Sequence, residues 1–191
     1  MSKTLVPIGI AVLVLAIGIS QWTYMNTLTE KERLIATSRF PIVGYPAPAF
    51  SLPRLSGGRM SLAEAAGRPA VINFWATWCG LCEKEMPVFQ ALEERAGDRI
   101  AVLSICSGSS QDAARAVVAT GGYTFPVLYD ADRAIARAYQ PKEEGAARQV
   151  TAFPFTAFVD VDGTVVYARA GIFTSLDDLL GRLKAVEFPI D

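Results

Sequence analysis

Two cysteines three positions apart, Cys79 and Cys82, are the residues of this 191-residue chain whose types and spacing most directly offer chemistry. A thiol pair at this spacing can close to a disulfide and reopen, carrying two electrons each time. The pair sits in Val71-Ile-Asn-Phe-Trp-Ala-Thr-Trp-Cys79-Gly-Leu-Cys82-Glu-Lys-Glu-Met-Pro87. Val71, Ile72, Phe74 and Trp75 have the β-branched and aromatic bias of a core strand. Cys82, Met86, Phe89 and Leu92 recur at helical spacing and give the following segment one apolar face. Cys79 therefore falls at or just before the first turn of a helix. Unsatisfied N–H groups and the positive end of the dipole favour an anion there. A thiolate is the anion on offer, and this placement lowers a cysteine pKa below its free value of about 8.5. Strand, C-x-x-C, helix is the sequence form of a dithiol redox site.

Other uses of the pair stand beside that one. Half of a zinc site needs two further ligands, and the chain offers one more cysteine, Cys106, and no histidine. A c-type haem needs C-x-x-C-H, but Glu83 follows Cys82, which excludes it. A structural disulfide remains open, although so short a loop removes little chain entropy.

The elements that must position the pair fit one domain plus an appendage. A hydrophobic content of 51% supports a sizeable core, and a net charge of −1 leaves no basic footprint for nucleic acid. The absence of histidine removes Cys–His and Ser–His nucleophile pairs and His-ligated metals. No metal or bound cofactor is expected beyond a redox-active Cys79–Cys82 pair.

Leu5 to Ile19 is almost wholly apolar, and no charge occurs between Lys3 and Glu30. Residues 5–25 at about 1.5 Å each would reach roughly 30 Å, one hydrocarbon thickness. Trp22 and Tyr24 stand where interfacial anchors stand, and Lys3 predicts a cytoplasmic amino terminus. Residues 1–25 thus read as a single transmembrane anchor, with a cleaved signal at Ala16-Ile-Gly18 as the competing reading. Either way the remaining chain is exported, giving an extracytoplasmic (periplasmic or outer-face) domain on the cell membrane. Residues 26–42 read as a spacer whose Glu30-Lys31-Glu32-Arg33 cluster is a solvated helix extension, and residues 43–191 as the folded domain.

Within that domain, prolines keep 43–52 from helix, Gly57-Gly58 signals a hairpin turn, and Ser61 caps a short helix. Ile100–Cys106 is a second buried strand, Asp112–Thr120 a helix ended by Gly121-Gly122, Phe125–Tyr129 a short strand, and 133–139 a helix. Lys142–Arg148 is a polar loop. A strand from about 155 turns through Val161-Asp-Gly-Thr164 into Val165–Ala168, and Ser175 caps a last amphipathic helix. Alternating strands and helices predict an α/β class with a mostly parallel sheet. Pro154 stands where a proline would spoil central pairing, and Cys106 reads as an inert core thiol.

The string Asn73-Phe-Trp-Ala-Thr-Trp-Cys79-x-x-Cys82-x-x-Glu85-Met-Pro87 resembles the thioredoxin superfamily, and within it the membrane-anchored TlpA/ResA-like branch. The similarity extends over roughly Val43 to Glu187. It implies a thioredoxin-like fold, a central mixed β-sheet flanked by helices, with an inserted α/β element for which 109–130 is the candidate. It implies a kinking proline at Pro87 and a cis peptide before Pro154, whose loop lies against the cysteines. By resemblance Cys79 attacks a substrate disulfide, Cys82 resolves the mixed disulfide, and Glu85 handles the Cys82 proton. Trp78, Gly80, Leu81 and Phe153 then form the substrate-binding surface, and the Gly80-Leu81 pair tunes the potential. Two departures matter: Asn73 stands where thioredoxin has a buried aspartate, and Gly80-Leu81 lacks the proline or histidine common in the superfamily.

The expected function is an extracytoplasmic thiol–disulfide oxidoreductase that reduces disulfides of exported proteins, apocytochrome c by family analogy, drawing electrons from a membrane dithiol carrier and acting as a monomer. A disulfide-forming oxidase is the first alternative. A thiol peroxidase is suggested by Gly44-x-x-Ala47-Pro48-x-Phe50, but its Pro-x-x-x-Thr-x-x-Cys pattern is missing before Cys79. A redox-silent binding module is the non-enzymatic reading.

Overall fold

The computed structural model describes residues 7–40, 42–140 and 151–190, with side chains from residue 13 onward. The polar loop expected at 142–148 lies outside the described residues, as does the start of the expected span over 5–25. A helix α1 (Pro7–Thr27) precedes a short helix α2 (Glu30–Ala36), which Thr29 opens with a capping box to Glu32. Leu13, Val14, Leu15, Ile17, Ile19, Trp22 and Tyr24 of α1 are exposed. Among the described residues no helix is long and apolar enough to cross a membrane, so the expected transmembrane helix is not shown.

The body is built on β3 (Ala70–Trp75), a strand buried along its whole length. Before it, β1 (Ser51–Pro53) and β2 (Arg59–Ser61) make the hairpin expected at Gly57-Gly58, where both glycines take positive φ. Ser61 opens a 3-10 turn over Leu62–Ala65. After β3 come α3 (Gly80–Ala96), β4 (Ala101–Ser107), α4 (Gln111–Gly121), β5 (Val127–Asp130) and α5 (Ala134–Tyr139). The chain closes with β6 (Phe155–Val159), β7 (Val165–Ala170) and α6 (Leu176–Ala185).

Among the described residues the main sheet runs β5-β4-β3-β6-β7, with β3, β4 and β5 parallel and β6 and β7 antiparallel to their neighbours. The sheet is mixed, as the resemblance implies, rather than mostly parallel, because β6 enters antiparallel to β3 and a hairpin through Gly163 then returns β7 beside β6. Residues 109–130 hold α4 and β5, which add the outer parallel strand next to β4.

Period-two alternation along β3 divides the core into two layers. Val71 and Trp75 face a cluster with Met86, Phe89 and Leu92 of α3 and Leu179 and Leu183 of α6. Ile72 and Phe74 face another with Leu103, Ile105, Tyr139 and Phe155. Each fully buried large side chain contributes roughly 1.5–3 kcal/mol, so these two layers hold β3 rigid under the cysteine turn. The segment expected as a solvated spacer does more than span a gap. Leu34 and Ile35 of α2 pack against the body, and Lys31 pairs with Asp160 at 3.6 Å. The polar residues 30–33 hide that apolar face in the sequence.

Candidate active site

The site begins where β3 ends. Thr77, Trp78 and Cys79 turn the chain into α3, and Cys79 is its N-cap. Cys79 and Cys82 form a disulfide with an S–S distance of 2.10 Å and a Cα–Cα distance of 5.3 Å. The N–H of Cys82 points at Cys79 Sγ from 3.2 Å. The backbone donor thus aims at the sulfur that would carry negative charge once the bond opens, which favours its thiolate. Cys79 is 8% exposed and Cys82 1%. Cys79, the attacking residue by resemblance, is thus largely enclosed, and Cys82 is the deeper of the two.

The other residues named from the sequence divide into a surface and an interior. On the surface, Trp78 is 60% exposed and Leu81 50%, and Gly80 opens α3 between the cysteines. The Phe153–Pro154 peptide is cis, and Phe153 meets the Trp78 ring edge-on at 5.7 Å between centroids. That contact joins the loop before β6 to the turn that carries Cys79. Pro154 itself is buried and ends just before β6 begins, so it breaks no central ladder.

In the interior, Glu85 is fully buried at 0% exposure. Spacing explains this, because Glu85 lies between Cys82 and Phe89 on the apolar face of α3. Its Oε1 accepts from the backbone N–H of Phe173 at 2.6 Å, and its Oε2 from Asn73 Nδ2 at 3.0 Å. Asn73 shares the Val71/Trp75 face of β3, and its amide also reaches Thr156 Oγ1 at 3.4 Å. Burial pushes the Glu85 carboxyl up to about 7. The Phe173 N–H, the Asn73 amide and the Arg169 charge pull the other way, and Asp178 adds to the rise. A carboxyl balanced near neutrality can take up or release a proton at working pH.

Sequence reasoning missed the residues that hold Phe173. The Arg169 guanidinium stacks 4.3 Å over the Phe173 ring, binds Asp178 at 2.9 Å and donates to the Ile172 carbonyl at 2.7 Å. No local signal marks Phe173 as a donor, since its partner lies 88 positions away.

Cys106 is a free thiol at 0% exposure, and burial pushes its pKa up to about 11. Among the described residues, no group of three or more His, Cys, Asp or Glu side chains is placed to hold a metal ion.

Comparison with known proteins bears on this geometry. The AhpC/TSA family model matches residues 43–168. The thioredoxin-like protein YneN of Bacillus subtilis (strain 168) is 32% identical over 85% of this chain and 88% of its own length. The thiol-disulfide oxidoreductase ResA of Geobacillus kaustophilus (strain HTA426) is 30% identical over 92% of this chain and 91% of its own. A secreted Mycobacterium tuberculosis disulfide oxidoreductase, described as homologous to E. coli DsbE, superposes with a TM-score of 0.59 at 28% identity. That superposition covers 71% of this chain and 95% of the other.

Proposed function

The chain belongs to the AhpC/TSA family and is a thiol–disulfide oxidoreductase with a Cys79–Cys82 pair, and from that premise we propose that it reduces disulfides of exported proteins while tethered to a membrane. The observation that carries the reading is the Cys82 N–H aimed at Cys79 Sγ from 3.2 Å, at the start of a 17-residue helix. In the dithiol form that donor and the helix dipole favour a Cys79 thiolate. The thiolate attacks one sulfur of a substrate disulfide, forming a mixed disulfide and releasing the other sulfur as a thiolate that takes up a proton. Cys82 then loses its proton to Glu85 and attacks Cys79 Sγ, restoring the disulfide and freeing the second substrate thiol. Trp78, Gly80, Leu81 and Phe153 supply the surface on which the substrate lies, and the loop at Pro154 borders it.

The apolar run Leu5–Ile19, with Lys3 before it, supports an amino-terminal anchor with the redox domain outside the cytoplasm. There the dithiol must be kept reduced from the membrane, by a dithiol carrier that attacks the Cys79–Cys82 disulfide in turn. Apocytochrome c is the proposed substrate by resemblance to the TlpA/ResA-like branch, and the protein acts as a monomer.

Equilibration of the full chain with glutathione buffers, read by mass after acid quench, tests the direction. A potential toward the thioredoxin end, about −270 mV, supports a reductase; one near −120 mV overturns it in favour of an oxidase.

A further inference from the structure

Beside the cysteine turn lies an arginine that the mechanism above does not use. The Arg133 guanidinium sits 5.5 Å from the centroid of the Trp78 ring. The same indole meets Phe153 at 5.7 Å and precedes Cys79 in the chain. Among the described residues Arg133 pairs with no carboxylate. The nearest acid in sequence, Asp132, accepts from the N–H of Ala134 at 3.1 Å. Glu83, on the first turn of α3, lies toward Tyr123, whose hydroxyl is pushed up by burial first and by that negative charge second.

The surrounding loops hold Arg133 in place. Its backbone is left-handed, with φ 61° and ψ 24°, a conformation unfavourable for a long side chain that persists only where its surroundings hold it. The Asp130 carbonyl accepts from both Arg133 N–H (3.3 Å) and Gly108 N–H (3.0 Å), which locks the loops after β4 and β5 together. The Asp130 carboxylate accepts from Ser107, Ile135 and Ala136 and fixes the start of α5. Gly108, at φ +65°, leaves the arginine stem its path, because a Cβ there would lie 2.0 Å from Arg133 Nε. The next residue, Ser109, accepts from the N–H of Thr77 at 3.0 Å and so holds this loop against the cysteine turn.

We propose that Arg133, laid on Trp78, gives the rim of the substrate surface a fixed positive charge that selects disulfides flanked by an acidic side chain. This rests on the reading of the protein as a reductase of polypeptide disulfides. A cation on an aromatic face keeps its charge while losing part of its freedom, so an incoming carboxylate meets a guanidinium already positioned. The apolar faces of Trp78 and Leu81 hold the strand around the disulfide, and Arg133 discriminates at its edge. Each turnover oxidises the Cys79 and Cys82 thiols to their disulfide, and two electrons and two protons pass to the two peptide sulfurs.

The test uses the full chain in non-ionic detergent, reduced and freed of excess reductant, with two disulfide-bonded peptides identical except for Glu or Gln beside one half-cystine. The wild type reduces the Glu peptide about three- to tenfold faster, and the advantage shrinks as salt rises. Arg133→Gln brings the two rates together, and Arg133→Lys restores part of the gap. The acidic-to-neutral ratio is a readout that a merely structural arginine would not move. Equal wild-type rates, or an Arg133→Gln protein that keeps the preference, overturn the proposal. If Arg133→Gln does not fold, the wild-type salt series decides, and a preference indifferent to ionic strength overturns it. Failure of the wild type to reduce either peptide overturns the reductase reading itself, a different outcome from equal rates.

Discussion

The backbone N–H of Phe173 donates to Glu85 Oε1 at 2.6 Å, joining the loop before α6 to the middle of α3. With Asn73 on the other oxygen, a carboxyl without exposure is given two donors and, among the described residues, no acceptor. Burial favours the acid and the donors favour the carboxylate, and the balance falls at about 7. The charge state of Glu85 is thereby poised near neutrality beside the pair that must exchange protons.

Stability of the disulfide form should carry the signature of this group. The folded pKa of about 7 lies above the usual 4.5, so the folded state binds the extra proton between these values. Its contribution is most favourable below pH 4.5 and declines as pH rises to 7, by up to about 3 kcal/mol. Glu85→Gln should abolish this slope. The same variant should be less stable in acid by about 1–3 kcal/mol, because a Gln amide turns N–H groups toward one of the two donors. Urea unfolding across pH 4–8 checks both, and an unchanged slope contradicts the assignment.

Asn73→Ala removes the side-chain donor to Glu85. The carboxyl should then titrate roughly one unit higher, the worth of a hydrogen bond to a charged group. The pH dependence of thiol alkylation in the reduced variant should move to the alkaline side with it. A profile that overlays the wild type would show that Asn73 does not govern the group.

Gly108→Ala places a methyl where Arg133 Nε now lies and forces a left-handed alanine. It should cost about 1–2 kcal/mol and displace the guanidinium from Trp78. Thermal unfolding and a change in tryptophan emission report the two effects. Full stability with unchanged emission would contradict this packing.

Cys106→Ala should leave the equilibrium potential unchanged while lowering stability by about 1 kcal/mol or more, since a fully buried thiol is lost. A shifted potential would give Cys106 a part in the electron transfer.

Much of this was readable because the information is local. The β3 alternation, the N-cap position of Cys79 and the helical face through Cys82, Met86 and Phe89 each need only a few neighbouring residues. The alternation even puts Asn73 on the face that meets α3, although the bond to Glu85 follows only once α3 is laid on the sheet. Phe173 and Arg133 were not legible. The first acts through its backbone across 88 positions. The second depends on a left-handed φ that arginine composition does not announce. The partial burial of Leu34 and Ile35 was masked by the charges that precede them.

The most direct measurement is the rate of iodoacetamide alkylation of each cysteine in the reduced protein at pH 7, mapped by peptide mass. Cys79 should be modified first, by at least tenfold over Cys82 and Cys106, because its sulfur alone sits at the helix start under a backbone donor. Modification of Cys79 no faster than buried Cys106 would contradict the account.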